Sequence, residues 1–202
     1  MKTIGAVIFE GFELLDLYGP LEMFALAGKD LQIQLLSHEE GTVKSAQGPT
    51  ALPDAMLTNQ SAYDILLVPG GPGTRALVSD TSFLELIQKA AGRAELVLSV
   101  CTGAALLAKA GLLDGHTATT NKYAWSWAIS QSDNVRWQRK ARWVEDGKFF
   151  TSSGVSAGID MSLAVIVRLY GRQTAEKAAL FAEYVWSDDP HNDPFAQAHG
   201  LI

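Results

Sequence analysis

Short, unbroken apolar runs recur along the chain, and each gives way to a longer stretch with helical spacing. Residues 3–9 (Thr-Ile-Gly-Ala-Val-Ile-Phe), 64–69 (Asp-Ile-Leu-Leu-Val-Pro) and 96–100 (Leu-Val-Leu-Ser-Val) are such runs. Continuous rather than alternating apolar residues in segments this short indicate strands buried on both faces. Residues 31–37 alternate instead, as a half-buried strand does. Residues 42–57 are mixed, with Gly48-Pro49 and Pro53 as breakers that restrict them to short edge strands. A helix is predicted after Phe12, carrying Asp16, Leu17, Leu21, Met23 and Phe24, with Gly19-Pro20 bending or restarting it. Further helices are expected over 74–91 with two breaks, from Ala104 to Gly111, over 122–130, up to Tyr170, and over 174–186. Strands at 117–120, 135–137 and 141–144 complete the pattern, with Glu145-Asp146-Gly147 as a hairpin turn before Phe149-Phe150-Thr151. Strands alternating with helices predict an α/β fold, an open and mostly parallel sheet covered on both faces.

Composition narrows the function classes. The 202 residues show no internal repeat, low-complexity block or linker, which predicts one domain with a core over about 2–186 and a polar tail over 187–202. A net charge of −6 argues against a phosphate-binding basic face, so no nucleic-acid partner is expected. No stretch approaches the roughly 20 apolar residues of a spanning helix, and Glu10 and Glu13 interrupt the first apolar run too early for a secretion signal. No membrane partner is expected. The single cysteine can form no internal disulfide, which fits a reducing cytoplasm.

That cysteine is the strongest chemical signal. In Leu96-Val-Leu-Ser-Val-Cys101-Thr-Gly103 a buried strand runs directly into a helix-forming segment. A sharp turn there holds the side chain clear of the backbone, where N–H groups and the helix dipole favour a thiolate. It is a nucleophile elbow with sulfur in place of a hydroxyl; the bland alternative is a small core residue. Sites in open parallel sheets form beyond the carboxyl ends of the strands. Residues 10–16, 69–73, 101–103 and 152–158 converge there. Gly70-Gly71 permits a close backbone approach, so that an N–H faces an oxyanion beside Cys101, or it is simply a turn. A carboxylate beside the thiol would share a proton with it, giving nucleophile and general acid in one contact. Asp16 is the first choice, with Glu10, Glu13 and Glu22 competing. His38, His116, His191 and His199 show no metal-ligand spacing. Asp188, Asp189, His191 and Asp193 could bind a metal, but a solvated, Pro-broken tail is the expectation. Trp125 and Trp127, two apart on a helix, read as core residues, the alternative being that one lines a pocket while the other packs inside. Gly70-Gly71-Pro72-Gly73-Thr74 lacks the Lys-Ser/Thr of a P-loop.

Taken together the segments resemble the ThiJ/PfpI superfamily. The matching pieces are Phe12-Glu13-Leu14-Leu15-Asp16-Leu17-Tyr18-Gly19-Pro20, Leu67-Val68-Pro69-Gly70-Gly71, Ser99-Val100-Cys101-Thr102-Gly103, Ala110-Gly111-Leu112-Leu113-Asp114-Gly115 with Ala118-Thr119-Thr120, and Thr151-Ser152-Ser153-Gly154-Val155-Ser156-Ala157-Gly158-Ile159-Asp160. The resemblance implies a flavodoxin-like sheet of the class I glutamine amidotransferase type. It implies Cys101 as nucleophile, Asp16 as acid and Thr102 as an assisting hydroxyl. It also implies N–H groups of Gly70, Gly71 and Thr102 at the reacting atom, and a substrate pocket near Tyr18, Asn121 and Gly154. No metal or organic cofactor is implied, and a homodimer is. Asp-x-x-Gly-Pro with Cys-Thr-Gly is similar to the isonitrile hydratase branch, which implies a hydratase acting on a small uncharged carbon electrophile. Two alternatives are a ligand-sensing domain like those of AraC-type regulators and a glyoxalase- or deglycase-like stress enzyme. One departure stands out: relatives usually read Thr-Thr-His where this chain has Thr119-Thr120-Asn121, and Asn cannot exchange a proton near neutral pH.

Overall fold

The apolar runs assemble side by side in a computed structural model that describes residues 1–28 and 30–202. The chain begins with β1 (Lys2–Val7), α1 (Leu14–Ala27) and β2 (Leu31–Ser37). The short strands β3 (Val43–Lys44), β4 (Thr50–Ala51) and β5 (Ala55–Met56) follow. Next come β6 (Ile65–Val68), α2 (Thr74–Leu77), α3 (Thr81–Arg93), β7 (Leu96–Ser99) and α4 (Gly103–Lys109). The second half holds β8 (Thr117–Ala118), α5 (Trp125–Ile129), β9 (Arg136–Trp137), β10 (Trp143–Asp146) and β11 (Phe149–Ser152). It closes with α6 (Ala157–Tyr170), α7 (Arg172–Phe181) and α8 (Pro194–Ala198). Seven strands form one sheet in the order β10-β11-β7-β6-β1-β2-β5. Every pairing in it is parallel except the β10–β11 hairpin. Helices α1, α6 and α7 pack together on one side and α2, α3 and α4 on the other. The middle strands β6 and β7 are therefore buried along their whole length, as their unbroken apolar sequences require.

Several local expectations shift. Helix α1 runs on through the buried Pro20 rather than restarting; the proline's missing N–H leaves the carbonyl of Asp16 without its helical donor. β8 stops at Ala118 and pairs with β9 outside the main sheet, because Thr119 and Thr120 turn toward the cysteine strand. The Thr119 N–H donates to Thr151 Oγ1 at 2.9 Å, and the Thr120 hydroxyl donates to the Cys101 carbonyl at 2.9 Å. Strand β10 starts at Trp143 and extends through Asp146, so the turn falls at Gly147-Lys148, where Gly147 adopts φ 64°. Helix α7 ends at Phe181; beyond it the Tyr184 hydroxyl and the Ser187 N–H both donate to Asp160 Oδ1 at 2.9 Å.

The tail is mostly exposed, as expected, but it is anchored at two buried residues, Asp193 and Ala196. Asp193 is buried and caps α8 by accepting from the Phe195 N–H at 3.1 Å. It belongs to a buried quartet with Lys122, Arg142 and Asp160, which balances two positive and two negative groups. Buried charges need such pairing to be tolerated at all. A continuous amphipathic pattern could not announce it, because the four residues lie in four separate segments. No group of metal-ligating side chains gathers among the described residues, in the tail or elsewhere. No helix among them is long and apolar enough to cross a membrane.

Candidate active site

Strand β7 ends at Ser99, and the chain turns so sharply into α4 that Cys101 adopts φ 59°. A non-glycine residue in this region is strained. The turn is held by the Cys101 N–H, which donates to the Ser153 carbonyl at 3.1 Å, and by the bond from Thr120. The predicted elbow is thus present, and segments 10–16, 69–73 and 152–158 each contribute residues to the pocket that Cys101 lines.

Asp16 is the carboxylate that reaches it. The residue is wholly buried, and its Oδ2 accepts from the Gly70 N–H at 2.9 Å. Oδ1 has no hydrogen-bond partner of ordinary geometry among the described residues, and beyond Gly70 the carboxyl interacts with the Cys101 thiol and the Val155 N–H. The competing acids are held by other partners: Glu10 accepts from the Lys44 N–H, Glu13 lines the pocket beside Cys101 but accepts from the Gln47 amide at 2.8 Å, and Glu22 is exposed. Burial pushes the Asp16 carboxyl up to about 7, against the opposing bond from Gly70. Burial and the charge of Asp16 together push the Cys101 thiol well up, while the Thr102 N–H and Asn121 amide favour its ionised form. The elbow's backbone donor acts as expected but does not outweigh desolvation. An independently ionised thiolate is therefore replaced by a coupled pair in which acid and thiol share protons.

The two glycines serve this pair differently from the oxyanion expectation. Gly70 spends its N–H on Asp16, and the Gly71 N–H donates to Thr102 Oγ1 at 3.0 Å. Neither N–H is left for a reacting atom. What position 70 requires is close approach: a Cβ there would lie 2.5 Å from the Thr102 nitrogen and 2.8 Å from Asp16 Oδ2. The Thr74 hydroxyl spends its proton on the Gly71 carbonyl at 2.7 Å, which leaves its oxygen, 3.2 Å away, to accept from the Thr102 hydroxyl.

Asn121 resolves the departure from Thr-Thr-His. Its Nδ2 donates to Cys101 Sγ at 3.0 Å, and its Oδ1 accepts from the Ala124 N–H at 2.8 Å, which fixes the amide's orientation. The amide can hold charge on sulfur but cannot relay a proton. Gly154 packs against that amide, where a Cβ would come within 2.6 Å of Nδ2. Replacing the donor with a second acceptor tests this role. Asn121→Asp keeps the Ala124 bond but faces the sulfur with negative charge, and should slow iodoacetamide alkylation of Cys101 at pH 8 by about tenfold. An unchanged rate would show that the amide does not support the thiolate.

Cys101, Thr102 and Asn121 open onto a pocket of about 330 Å³, also lined by Glu13, Arg75 and Tyr123. Tyr18 is not part of it. Two residues beyond Asp16 on a helix, it points about 200° away and is 43 % exposed. Val155, in the converging segment 152–158, lines the pocket from a loop at φ 47°, whereas Arg75 lines it unforeseen, lying in the short α2 with no periodic or motif signal. Trp125 is buried, as expected, whereas Trp127 is half-buried beneath the Arg75 guanidinium. A larger depression, about 540 Å³, lies beside β10 and the tail near Lys140, Trp143 and His191, but holds neither member of the pair.

A profile of the DJ-1/PfpI family matches residues 2–168. The chain is 35% identical over 181 residues to isonitrile hydratase of Pseudomonas putida, covering 90% of this chain and 78% of that protein. It is 32% identical to the HTH-type transcriptional regulator GbdR of Pseudomonas aeruginosa, over 85% of this chain but only 48% of the regulator. Among solved structures it superposes on a THiJ/PfpI family protein from Pseudomonas syringae with a TM-score of 0.81 at 31% identity, covering 91% of this chain and 75% of that one. Drosophila melanogaster DJ-1beta shares the fold, with a TM-score of 0.79 at 20% identity over 92% of this chain and 99% of that one. With the seven-stranded sheet, the cysteine turn and these matches in agreement, the chain belongs to the DJ-1/PfpI family.

Proposed function

We propose that the protein is a cysteine-dependent hydratase converting a small isonitrile and water into an N-substituted formamide. The observation that carries this reading is the buried Asp16–Cys101 pair, with Asn121 on the sulfur, at the floor of a small pocket. The similarity to an isonitrile hydratase supports it.

The thiol proton passes to Asp16, leaving a thiolate to which Asn121 and the Thr102 N–H donate. Sulfur bonds to the terminal isonitrile carbon while Asp16 returns the proton to that carbon, forming a thioimidate. Water, oriented by the Thr102 hydroxyl or the freed Asp16 carboxylate, adds to the same carbon. The tetrahedral adduct then breaks its carbon–sulfur bond, its nitrogen keeping one proton, and the thiol re-forms. Every proton that leaves a group returns, so no cofactor enters the cycle. The reading includes a homodimer working in a reducing cytoplasm, as the lone thiol suits.

The similarity to GbdR favours a second reading, a ligand-sensing domain that keeps the pocket without turnover. One assay separates the two: formamide release from an alkyl isonitrile by wild type, Cys101→Ala and Asp16→Asn. Release by wild type alone is expected. Equal rates in all three, or turnover of methylglyoxal but no isonitrile, would end the hydratase reading. Saturable ligand binding that survives Cys101→Ala with no product would establish the sensor.

A further inference from the structure

The pocket holds a positive charge that the proposed chemistry does not use. The guanidinium of Arg75 lies 3.4 Å from the centroid of the Trp127 ring and lines the same pocket as Cys101. Its one side-chain hydrogen bond among the described residues is a long 3.5 Å contact to the Thr74 hydroxyl. Among the described residues it forms no ion pair, although the protein carries 22 acidic side chains against 16 basic ones. A guanidinium stacked on an indole has its plane fixed and its donors left at its edge, where a planar two-oxygen acceptor fits best. Glu13 lines the same pocket and weighs against a doubly charged phosphate.

We infer that Arg75 selects substrates bearing a carboxylate, held at its guanidinium edge while the electrophilic carbon reaches Cys101. The small pocket confines the two groups to one short chain. Under the hydratase reading, on which this substrate class rests, the preferred substrate is an isonitrile with a carboxylate a few bonds from the reacting carbon. The electrophile itself stays uncharged; the charge sits at the other end of the molecule.

Two probe pairs test the assignment in wild type and Arg75→Met. The first compares 3-isocyanopropanoate with its neutral amide, read as the ratio of kcat/KM. The second compares alkylation of Cys101 by iodoacetate and by iodoacetamide, which needs no hydratase activity. Each acid-to-amide ratio should fall at least about tenfold in Arg75→Met, the scale of one charge-assisted contact at a partly open site. Arg75→Lys, which keeps charge but loses the planar fork, should fall between. Ratios within twofold of wild type in Arg75→Met would overturn the assignment. Failure of wild type to convert either isonitrile would remove the hydratase reading, while the alkylation ratio would still decide the role of Arg75.

Discussion

Asp16→Asn is expected to lose about a hundredfold to ten-thousandfold in turnover, the range of a removed general acid, and to gain stability above neutral pH. The two effects share one cause. Burial raises the Asp16 carboxyl to about 7 from an ordinary 3.8, so the folded protein keeps a proton that the unfolded chain has released. The corresponding stability is fully present below the unfolded value, declines as pH rises through the folded value, and then levels off. The loss is on the order of 4 kcal/mol across that window. Asn retains an acceptor for the Gly70 N–H and never ionises, so it escapes the loss. Urea unfolding of both proteins at pH 4 and pH 8 measures it: the variant's advantage should widen by a few kcal/mol at the higher pH. A constant difference would mean that the carboxyl ionises without penalty and that no proton-sharing pair exists. Iodoacetamide labelling of wild type should also rise as pH passes about 7, where the pair drops from two protons to one. In Asp16→Asn that step disappears and a single thiol titration remains.

Asp193→Ala is the second large effect, and it acts far from any reacting atom. The substitution strips one anion from a buried quartet, removing the carboxylate that lies 3.9 Å from Lys122 and 3.6 Å from Arg142. Removing one partner of a buried pair costs about 3–5 kcal/mol. Lys122 limits the damage, because burial has already lowered its amine to about 8 while Asp193 opposes that shift. Without Asp193 the amine releases its proton at lower pH still, so the deficit should narrow as pH is raised from 6 to 8. Thermal unfolding at those two values measures the effect, and a deficit independent of pH would separate Lys122 from it. Because Lys122 follows Asn121 directly, the alkylation rate of Cys101 reports whether the disturbance reaches the sulfur.

The strands that place this site were readable because each is a short apolar run with an unmistakable end, and β2 emerged over its full predicted length. The cysteine turn was readable for the same reason, since a buried strand abutting a helix leaves the chain no room for anything gentler. Asp16 was only one of four acids by sequence. What singles it out is its place on the buried face of α1 opposite the Gly70 N–H, a contact across 54 residues that no local pattern encodes. The roles of Gly70 and Gly71 were misjudged because a glycine pair advertises close approach without naming what approaches. Arg75 went unnoticed because its meaning depends on Trp127, about 50 residues further along and in another element. The tail is largely exposed, as its polar composition indicates; its buried anchor at Asp193 was hidden because the partners lie in segments that are themselves mostly loops.

The left-handed backbone at Cys101 and Val155, both lining the pocket, has a bearing on engineering. Each such residue withholds about 1–3 kcal/mol from folding. A search for heat-tolerant variants scored on survival alone would therefore drift toward glycine at these two positions, relaxing the rim and erasing the reactive atom in the same stroke.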